Sequence, residues 1–404
     1  MKILFVSQYF YPEIFRGNDI VFDLVEKGHD LTVLTGKPNY PLGSFFKGYS
    51  FWGIKIENIK GANVIRIPTL PRGNGRGVKL IFNYLSFLLF SYPYSRFRID
   101  KDFDVIFIQQ LSPVTMAMPG IWAKKRNQNA KLYIWILDLW PESITAVTGL
   151  KNKFVIGIID KLVKYIYSKI DYILISSICF KKSIEERSKK NEIIYFPNWA
   201  ESIFELDTNL RFNIPNLPDG FNIMFAGNIG EAQDFETIIK ASELTKNDEI
   251  NWIIVGDGRK LNWVREQINS RNLTNVYILG RHPIEKMPIF FKCADVMLLT
   301  LKNSPVFNLT VPAKLQAYLA SGKIILGAIN GEANSIINNN DIGRSCESGN
   351  FNKLAENAIF LKNLSKEKII EMEKKSKNIY LLNYSKNLLL NNLELIFKKN
   401  CNNV

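Results

Sequence analysis

The chain is 404 residues long, with 47% hydrophobic residues, 22% charged residues and a net charge of +14. This composition is that of a soluble globular protein, so it excludes a fibrous or an intrinsically disordered chain, and the length predicts two or three domains. The excess of positive charge favours an anionic partner, such as a nucleotide, a lipid headgroup or a nucleic acid.

The cysteines, the histidines and the N-terminus indicate the compartment and the kind of site. The four cysteines lie far apart without a CxxC pair, and there are only two histidines, so we expect neither a disulfide framework nor a metal centre. The N-terminal string MKILFVSQYF lacks the long apolar core of a secretory signal. The longest apolar stretch, Leu80–Phe90, is shorter than the ~20 residues that a spanning helix needs. We therefore expect a cytoplasmic protein.

In the first half of the chain, short apolar runs alternate with helical patterns. Uninterrupted apolar runs are typical of parallel strands that are covered on both faces. Residues 18–27 carry a helical stripe that Asn18 or Asp19 would cap and Gly28 would end. The predicted strands are Lys2–Ser7, Leu31–Thr35, Val105–Gln109, Leu132–Ile136 and Tyr172–Ser176.

The alternation stops at residues 206–220, which are rich in proline and asparagine and indicate a linker, and then it restarts. The predicted strands of the second half are Asn222–Ala226, Asn251–Val255, Val276–Leu279, Val296–Thr300 and Ile324–Leu326. Together the two halves predict an α/β chain of two doubly wound, Rossmann-like domains that face a central cleft. The expected domains are 1–205 and 221–375, followed by a helical tail at 376–404 that could pack back on the first domain.

A glycine turn follows the first predicted strand of each half. The free backbone N–H groups and the positive helix end at such a turn suit an anion. Arg16, Gly17 and Asn18 form the first turn, and Gly227–Gly230 (GNIG) forms the second. Either turn alone could be an ordinary strand–helix connection, whereas two turns in corresponding places favour phosphate binding.

Asp138 follows a central predicted strand, and Glu142 comes four residues later. Ligands of open α/β sheets bind beyond the carboxyl ends of the strands, which makes these acids candidates for catalysis. The alternative is that Asp138 or Ser143 caps the next helix. Asp102 and Asp104 form a DxD pattern, but they precede their strand, at the other edge of the sheet, so we reject a metal site there.

Lys314 falls in the first turn of a helix that Val311–Lys323 predicts, with Pro312 early and Gly322 late. The helix dipole disfavours a cation in the first turn. This unfavourable placement suggests an anionic ligand, although an exposed lysine is the commoner case.

The segment Lys60–Lys101 holds eight basic residues, seven aromatic residues and one acid. Basic residues that flank an apolar helix suit a membrane surface, which we favour slightly over a core helix with solvated ends. Binding of single-stranded nucleic acid is the least favoured interpretation. The candidate membrane or acceptor contacts are Arg72, Arg76, Lys79, Phe87, Arg96 and Arg98.

Several longer strings, spread over the whole chain, are specific in combination. They are QYFYPEIFRGND, LTGKPNYPLG, DLWPES, FPNWAE, AGNIGEAQDFETIIKA and LTVPAKLQAYLASGK. Through these strings the chain resembles the two-domain GT-B glycosyltransferases of the retaining "family 4" group. Within that group it resembles the branch that builds bacterial O-antigen and capsule and that includes L-fucosamine transferases.

The resemblance implies a nucleotide-sugar donor, with a preference for UDP, on the C-terminal domain and an acceptor on the N-terminal domain. It also implies retaining chemistry without a metal or another cofactor, in which basic side chains and backbone N–H groups stabilise the leaving diphosphate. Asp138 falls where relatives often have a polar residue against the donor sugar.

The chain departs from the family pattern at four positions. Asn228 and Gln233 stand where many members have an arginine and a lysine. Leu309 and Ala317 stand where many members have two glutamates. The cations that could replace the missing pair are Arg281, Lys302 and Lys314.

We therefore predict a retaining, metal-independent transferase that moves a hexose derivative, for example N-acetyl-L-fucosamine, from a nucleoside diphosphate. The predicted acceptor is a polyprenyl-diphosphate saccharide at the cytoplasmic face of the anionic inner membrane, and nucleic acid is not an expected partner. Two alternatives stay open. One is a GT-B nucleotide-sugar epimerase; such enzymes usually use paired acids and a histidine, and this chain has only two histidines. The other is a non-catalytic sugar-nucleotide-binding subunit, which the missing glutamates suggest.

Overall fold

The computed structural model describes residues 1–189, 191–205 and 214–401. The chain divides into two compact units. Unit 1 is Met1–Phe196 together with residues 390–401, and unit 2 is the described part of Pro197–Leu389. Of the expected linker, residues 206–213 lie outside the described residues, and residues 214–220 form a loop before the first strand of unit 2.

Unit 1 is built on a sheet of eight strands. They are β1 (Lys2–Val6), β2 (Asp30–Gly36), β3 (Lys55–Ile59), β4 (Ala62–Ile67), β5 (Val105–Gln110), β6 (Lys131–Ile136), β7 (Tyr172–Ile175) and β8 (Glu192–Tyr195). Their order across the sheet is β3-β4-β2-β1-β5-β6-β7-β8. All pairings are parallel except that between β3 and β4, and the central strands are buried, as their apolar runs predict.

Helices cover both faces of this sheet. They are α1 (Arg16–Glu26), α2 (Gly77–Pro93), α3 (Met118–Lys124), α4 (Glu142–Thr148), α5 (Lys153–Tyr167) and α6 (Phe180–Glu185). Crossover connections between parallel strands are right-handed. Because α2, α3 and α5 all lead toward the β8 edge, they cover one face, whereas α1 leads the other way and covers the opposite face. The rings of Tyr92 and Trp122, 4.9 Å apart, join α2 to α3.

The start of α1 differs from the prediction that Asn18 or Asp19 caps it. The helix already begins at Arg16, and no side chain caps it. The Asn18 side chain instead accepts a hydrogen bond from the Tyr11 N–H (3.0 Å) and donates one to the Glu13 carbonyl (2.7 Å). Asn18 therefore holds the loop before the helix rather than the helix itself.

Unit 2 is built on a fully parallel sheet of six strands. They are β9 (Phe221–Ala226), β10 (Ile250–Val255), β11 (Val276–Gly280), β12 (Val296–Thr300), β13 (Ile324–Ala328) and β14 (Gly343–Cys346). Their order, β11-β10-β9-β12-β13-β14, is that of a Rossmann sheet. Successive side chains of β12 enter two apolar clusters, Val296 one and Met297 the other, because side chains alternate along a strand.

The helices of unit 2 complete these clusters. They are α7 (Phe235–Leu244), α8 (Leu261–Ser270), α9 (Met287–Cys293), α10 (Ala313–Ala320), α11 (Gly331–Asn339), α12 (Phe351–Lys362), α13 (Lys366–Asn383) and the start of α14 (Lys386–Cys401). Within the described residues, no helix combines the length and the apolar character that crossing a membrane requires.

The later part of α14 belongs to unit 1. There the Phe397 ring packs against the rings of Phe107 (5.7 Å) and Tyr133 (4.8 Å) from the sheet. Glu394 also pairs with Nε2 of His29 at 2.9 Å. These contacts give the C-terminal residues a packed place in unit 1.

Candidate functional site

Unit 2 contains a cavity of about 990 Å³ at the carboxyl edge of its sheet. The loops that follow β9, β10 and β11 form its walls. A cavity of this size can hold a nucleotide. Its lining includes the predicted donor-binding residues Gly227, Asn228 and Arg281, together with Gly256 and His282.

Glycines let two of these loops approach each other closely. A Cβ on Gly256 would lie 1.9 Å from the carbonyl oxygen of Gly227, and a Cβ on Gly258 would lie 2.3 Å from that of Ile229. Any other residue would force the backbone apart. This Gly256-Asp257-Gly258 turn was not among the predicted site residues, although a Gly-Asp-Gly string directly after a buried strand is a signal for such a turn.

Lys314, the second residue of α10, has unusual surroundings. Its Nζ donates a hydrogen bond to Oε1 of Gln233 (2.6 Å) and lies 3.7 Å from the centroid of the Phe225 ring. The residue keeps some solvent exposure, but protein atoms surround the ammonium, and the loss of hydration lowers the pKa of Lys314 to about 7. No carboxylate among the described residues offsets this cost.

The Lys314 ammonium is placed to take the charge of a ligand. An ammonium has three N–H donors, and the hydrogen bond to Gln233 uses one of them. A Cβ on Gly227, which lines the cavity, would come within 2.7 Å of Cε and 3.2 Å of Nζ of Lys314. The ammonium therefore lies directly beside the cavity wall, where an anionic group can reach it.

The contact with Gln233 also explains one departure from the family pattern. The family resemblance implies a lysine at the position of Gln233 in many members, and here the Lys314 ammonium lies at the end of that glutamine side chain. The missing positive charge is thus supplied from α10. The two absent glutamates have no such substitute at their own positions, because Ala317 is buried in the core and Leu309 is a partly buried apolar residue.

The other two predicted cations differ in their partners. Lys302 pairs with Glu231, which also pairs with Lys260 at 3.0 Å, and these two lysines lower the pKa of Glu231. Arg281 is exposed, lines the cavity and has no ion pair among the described residues. A ligand phosphate can therefore bind Arg281 directly, whereas Lys302 would first have to leave Glu231.

In unit 1, Asp138 lies just beyond the carboxyl end of β6, as predicted for a ligand-binding acid. Its two oxygens accept hydrogen bonds from the hydroxyl groups of Ser112 and Ser143, and Nε1 of Trp140 donates to the same Ser112 hydroxyl at 3.0 Å. Neither Asp138 nor Ser143 caps the backbone of α4, so the capping alternative is wrong. Each carboxylate oxygen keeps acceptor capacity for a sugar hydroxyl.

Glu142, the second acid, is engaged in an ion-pair network instead. Its Oε1 accepts hydrogen bonds from Nη1 of Arg187 (2.9 Å) and from the hydroxyl of Ser183 (2.8 Å). Arg187 also donates to Asp160 at 2.7 Å, which connects α4, α5 and the end of α6. This arrangement favours a structural role for Glu142 over the predicted role in catalysis.

Aromatic rings and one arginine gather near Asp138. Tyr9 and Tyr84 form a hydrogen bond, and the pKa of Tyr84 is raised by burial and by the Asp138 charge, although Arg72 and Tyr9 lower it. The Arg72 guanidinium lies 4.8 Å from the centroid of the Tyr40 ring, which packs against Tyr9 at 6.0 Å. Flat apolar rings beside a cation suit a saccharide that carries a negative charge.

The buried Glu13 connects two of the strings that carry the family resemblance. Its Oε1 accepts hydrogen bonds from the N–H groups of Asn39 (2.8 Å) and Tyr40 (2.7 Å), and its Oε2 accepts one from Phe10 (3.2 Å). Burial raises the pKa of Glu13 to about 7 in spite of these N–H donors. The string QYFYPEIFRGND thus supplies a carboxylate that fixes the loop in LTGKPNYPLG.

The glycine turn of unit 1 has a packing role, which differs from the predicted role in donor binding. A Cβ on Gly17 would lie 2.2 Å from Oε1 of Gln109 and 2.6 Å from Cζ of Phe5, both in the core. Asn18 holds the preceding loop, and Arg16 is the first residue of α1. The geometry therefore gives Gly17 and Asn18 structural roles, whereas donor binding by Arg16 stays a prediction.

The predicted membrane or acceptor contacts divide by exposure. Arg76, Lys79 and Arg98 are exposed, and Arg72 and Arg96 are partly exposed. Phe87 is wrong as a surface contact, because it is only 1% exposed and packs in the core.

The α2 helix turns its polar side inward. Its buried residues are Asn83, Ser86, Phe87 and Ser91. Its exposed apolar residues are Val78, Ile81, Phe82, Leu85, Leu89 and Phe90. An apolar patch of this kind indicates an interaction surface, because water does not stabilise it.

Comparison with known proteins supports a glycosyltransferase. Residues 207–381 match the family model "Glycosyl transferases group 1". This glycosyltransferase is 25% identical over 341 residues to the "Putative colanic acid biosynthesis glycosyl transferase WcaI" of Escherichia coli (strain K12), covering 80% of this chain and 82% of that protein. It therefore has a relative named for polysaccharide biosynthesis.

Solved structures of low sequence identity confirm the fold of this glycosyltransferase. A glycosyltransferase from Rickettsia africae ESF-5 matches 98% of both chains with a TM-score of 0.69 at 17% identity. Anabaena Alr3699/HepE, solved in complex with UDP and glucose, matches 99% of this chain and 100% of its own with a TM-score of 0.65 at 12% identity. The predicted GT-B fold of two Rossmann-like domains is confirmed.

Proposed function

We propose that this glycosyltransferase moves a sugar from a nucleoside diphosphate to a lipid-linked saccharide in the synthesis of a bacterial O-antigen or capsule. The observation that carries the proposal is the Lys314 ammonium, which lies beside the unit 2 cavity without a carboxylate partner among the described residues. An anionic ligand that binds the ammonium would offset the free-energy cost of its lost hydration, which explains why a cation is placed there.

In this proposal, unit 2 binds the donor. The nucleoside occupies the cavity, and the diphosphate lies beside the turn at Gly227, with Lys314 and Arg281 as its cations. Negative charge grows on the diphosphate as its bond to the sugar breaks, and these groups stabilise that charge. Binding of UDP is supported by the similar fold of HepE, which was solved with UDP.

Asp138 is the candidate catalytic residue of unit 1. Its carboxylate accepts hydrogen bonds from sugar hydroxyls and favours the positive charge that develops at the anomeric carbon. We propose that the configuration at that carbon is retained and that Lys314 and Arg281 perform the charge stabilisation for which other transferases use a metal. N-acetyl-L-fucosamine remains our candidate for the transferred sugar, on the strength of the family resemblance alone.

The acceptor in this proposal is a polyprenyl-diphosphate saccharide. Its saccharide packs on the exposed ring of Tyr40, and the Arg72 guanidinium beside that ring pairs with a negative charge of the acceptor. The exposed apolar face of α2, with Arg76 and Lys79 at one end and Arg98 beyond the other, suits the interface of an anionic membrane. The enzyme would then work as a peripheral protein on the cytoplasmic face.

Thermal unfolding in the presence of nucleotides tests the donor assignment. A ligand that binds only the folded protein raises the melting temperature by mass action. We expect UDP and one UDP-sugar to raise it more than ADP, GDP or dTDP do, and we expect Lys314→Met to reduce that rise. The donor assignment fails if no nucleoside diphosphate raises the melting temperature of the wild-type protein.

Product analysis separates the proposal from its two alternatives. Purified enzyme with the UDP-sugar and a lipid-linked acceptor should form a glycosidic bond, and an excess of EDTA should leave the rate unchanged. Release of an epimerised nucleotide sugar without any acceptor would favour an epimerase. Binding of the nucleotide sugar without turnover in either assay would favour a non-catalytic subunit.

A further inference from the structure

Unit 1 contains a pocket of its own, at the edge of its sheet opposite to Asp138. This pocket of about 600 Å³ lies between the turn Tyr94–Arg98, the end of α3 and the end of α5. Its lining includes four cations, Arg96, Lys124, Lys125 and Lys169, and no acidic residue. Because α3 and α5 end just before the strands β6 and β7 begin, the pocket lies at the amino edge of the sheet, away from the carboxyl edge where Asp138 lies.

Three of these cations are open to a ligand. Lys124 donates to the carbonyl of Gln128 (2.9 Å) and pairs with Asp171 (3.5 Å). Arg96, Lys125 and Lys169 have no carboxylate partner among the described residues, and the contacts of Arg96 and Lys169 are with aromatic rings, each at 5.4 Å. Like charges around one pocket repel one another, and an anion between them removes this cost.

Exposed apolar side chains lie on the helices that cover the same face of the sheet as this basic pocket. The neighbouring α2 exposes its apolar face, and Phe97, next to Arg96, is 58% exposed. The α5 helix, whose end lines the pocket, exposes Phe154 at 77% and Ile158 at 53%. A soluble anion would use the cations alone, whereas an anion anchored in a bilayer would use the cations and the apolar flanks together.

We propose that this pocket binds the phosphate headgroup of an anionic phospholipid while exposed apolar side chains of α2 and α5 enter the membrane interface. The inference rests on the proposed membrane location and adds a specific lipid site to it. The site extends the interface beyond the segment Lys60–Lys101 to α3 and α5, and it shares Arg96 with the candidate membrane or acceptor contacts.

The test uses the full-length double variant Lys125→Gln/Lys169→Gln and flotation with phosphatidylcholine vesicles, with and without phosphatidylglycerol. One basic residue near an anionic surface contributes about fivefold to partition, so we expect about 25-fold weaker binding to the phosphatidylglycerol vesicles. Binding to pure phosphatidylcholine should not change. The control variant Lys292→Gln/Lys374→Gln removes two exposed lysines of unit 2 and should bind both vesicles as the wild type does.

The outcomes separate this inference from the proposed location. If the double variant keeps its melting temperature and binds phosphatidylglycerol vesicles as tightly as the wild type, the headgroup site is overturned and the location through α2 stands. If the wild type binds neither vesicle, both are overturned. If vesicle binding is equal but inorganic phosphate raises the melting temperature of the wild type alone, the pocket is a soluble-phosphate site and the lipid assignment is wrong.

Discussion

The glycine turns after β1 and β9 look alike in sequence, but they differ in what surrounds them. In unit 1 a side chain on Gly17 would enter the core against Gln109 and Phe5. In unit 2 a side chain on Gly227 would meet Lys314 at the wall of a cavity. The first glycine is required for packing, and the second leaves room for the Lys314 side chain beside the cavity.

The difference shows that a glycine turn predicts a ligand site only together with its neighbours. The neighbour that decides the matter, Lys314, comes from α10, far along the chain from the turn it contacts. In unit 1 the polar groups lie instead after β6, where Asp138 accepts two hydroxyl hydrogen bonds. We therefore expect variants in unit 2 to change donor binding and variants of Asp138 to change turnover.

Replacement of Asp138 by asparagine should have the largest effect on rate. Asparagine can keep hydrogen bonds with Ser112 and Ser143, so the melting temperature and the binding of UDP should stay as in the wild type. The loss of the charge should lower turnover by about 100-fold or more, the size typical of a lost catalytic group. Steady-state kinetics with the lipid-linked acceptor measures this effect.

Glu142→Gln is the matched control for that variant. It weakens the ion pair with Arg187, so we expect a lower melting temperature with near-normal turnover of the folded enzyme. If Asp138→Asn keeps its turnover while Glu142→Gln loses it, the assignment of the two acids must be exchanged.

Lys314→Met should have the next largest effect, on donor binding and on turnover together. Methionine keeps the volume of the side chain and removes the charge, so the cost should be about 2–4 kcal/mol in transition-state stabilisation. The melting temperature of the free enzyme should stay or rise, because a poorly hydrated cation without a carboxylate partner is costly. The control Lys302→Met removes a lysine from an exposed ion pair with Glu231, and it should cost under about 1 kcal/mol in transition-state stabilisation. An equal loss of transition-state stabilisation in both variants would contradict the special role of Lys314.

Alanine at the two glycines tests the comparison directly. Gly17→Ala should lower the free energy of unfolding by about 1–3 kcal/mol through overpacking, with UDP affinity unchanged in the folded protein. Gly227→Ala should weaken UDP binding as well, because its Cβ would displace the Lys314 side chain and its φ of +138° disfavours alanine. Chemical unfolding and titration with UDP measure the two quantities. Loss of UDP affinity in Gly17→Ala would show that both turns bind ligand.

The sequence predicts most of the fold, because buried parallel strands carry continuous apolar runs. Each of the ten predicted strands is present, with small shifts at its ends. The strands that escaped prediction lack such runs: the edge strands β3 and β8 are largely exposed, β14 reads Gly-Arg-Ser-Cys, and β4 contains a charged residue. That residue, Arg66, is buried and pairs with Glu57 of β3, although its sequence neighbourhood suggested a basic surface segment.

The site could be predicted only in part, because its chemistry depends on contacts between distant residues. The helix dipole argument singled out Lys314, and the strand end singled out Asp138. Neither the hydrogen bond from Lys314 to Gln233 nor the ion pair of Glu142 with Arg187 leaves a local pattern in the sequence. Residue spacing therefore suggested a catalytic role for Glu142, whereas in the structure Glu142 forms an ion pair with Arg187.

The pH dependence of unit 2 should follow Lys314. Burial lowers the pKa of Lys314 from its ordinary value of 10.5 to about 7 in the folded protein. Between pH 7 and pH 10.5, the unfolded chain therefore holds a proton on this lysine that the folded chain has lost. The stability of the free enzyme should therefore rise as the pH increases from about 7 to about 10.5, and the cost of the charged lysine is fully present below pH 7. A diphosphate favours the charged form, and it is itself fully ionised above a pH of about 7, so UDP affinity should fall by up to about tenfold per pH unit above that value. Calorimetric titration at several pH values measures this slope, with Lys314→Met as the control that should show none. A slope that persists in Lys314→Met would assign the titration to another group and remove the main support for a diphosphate beside Lys314.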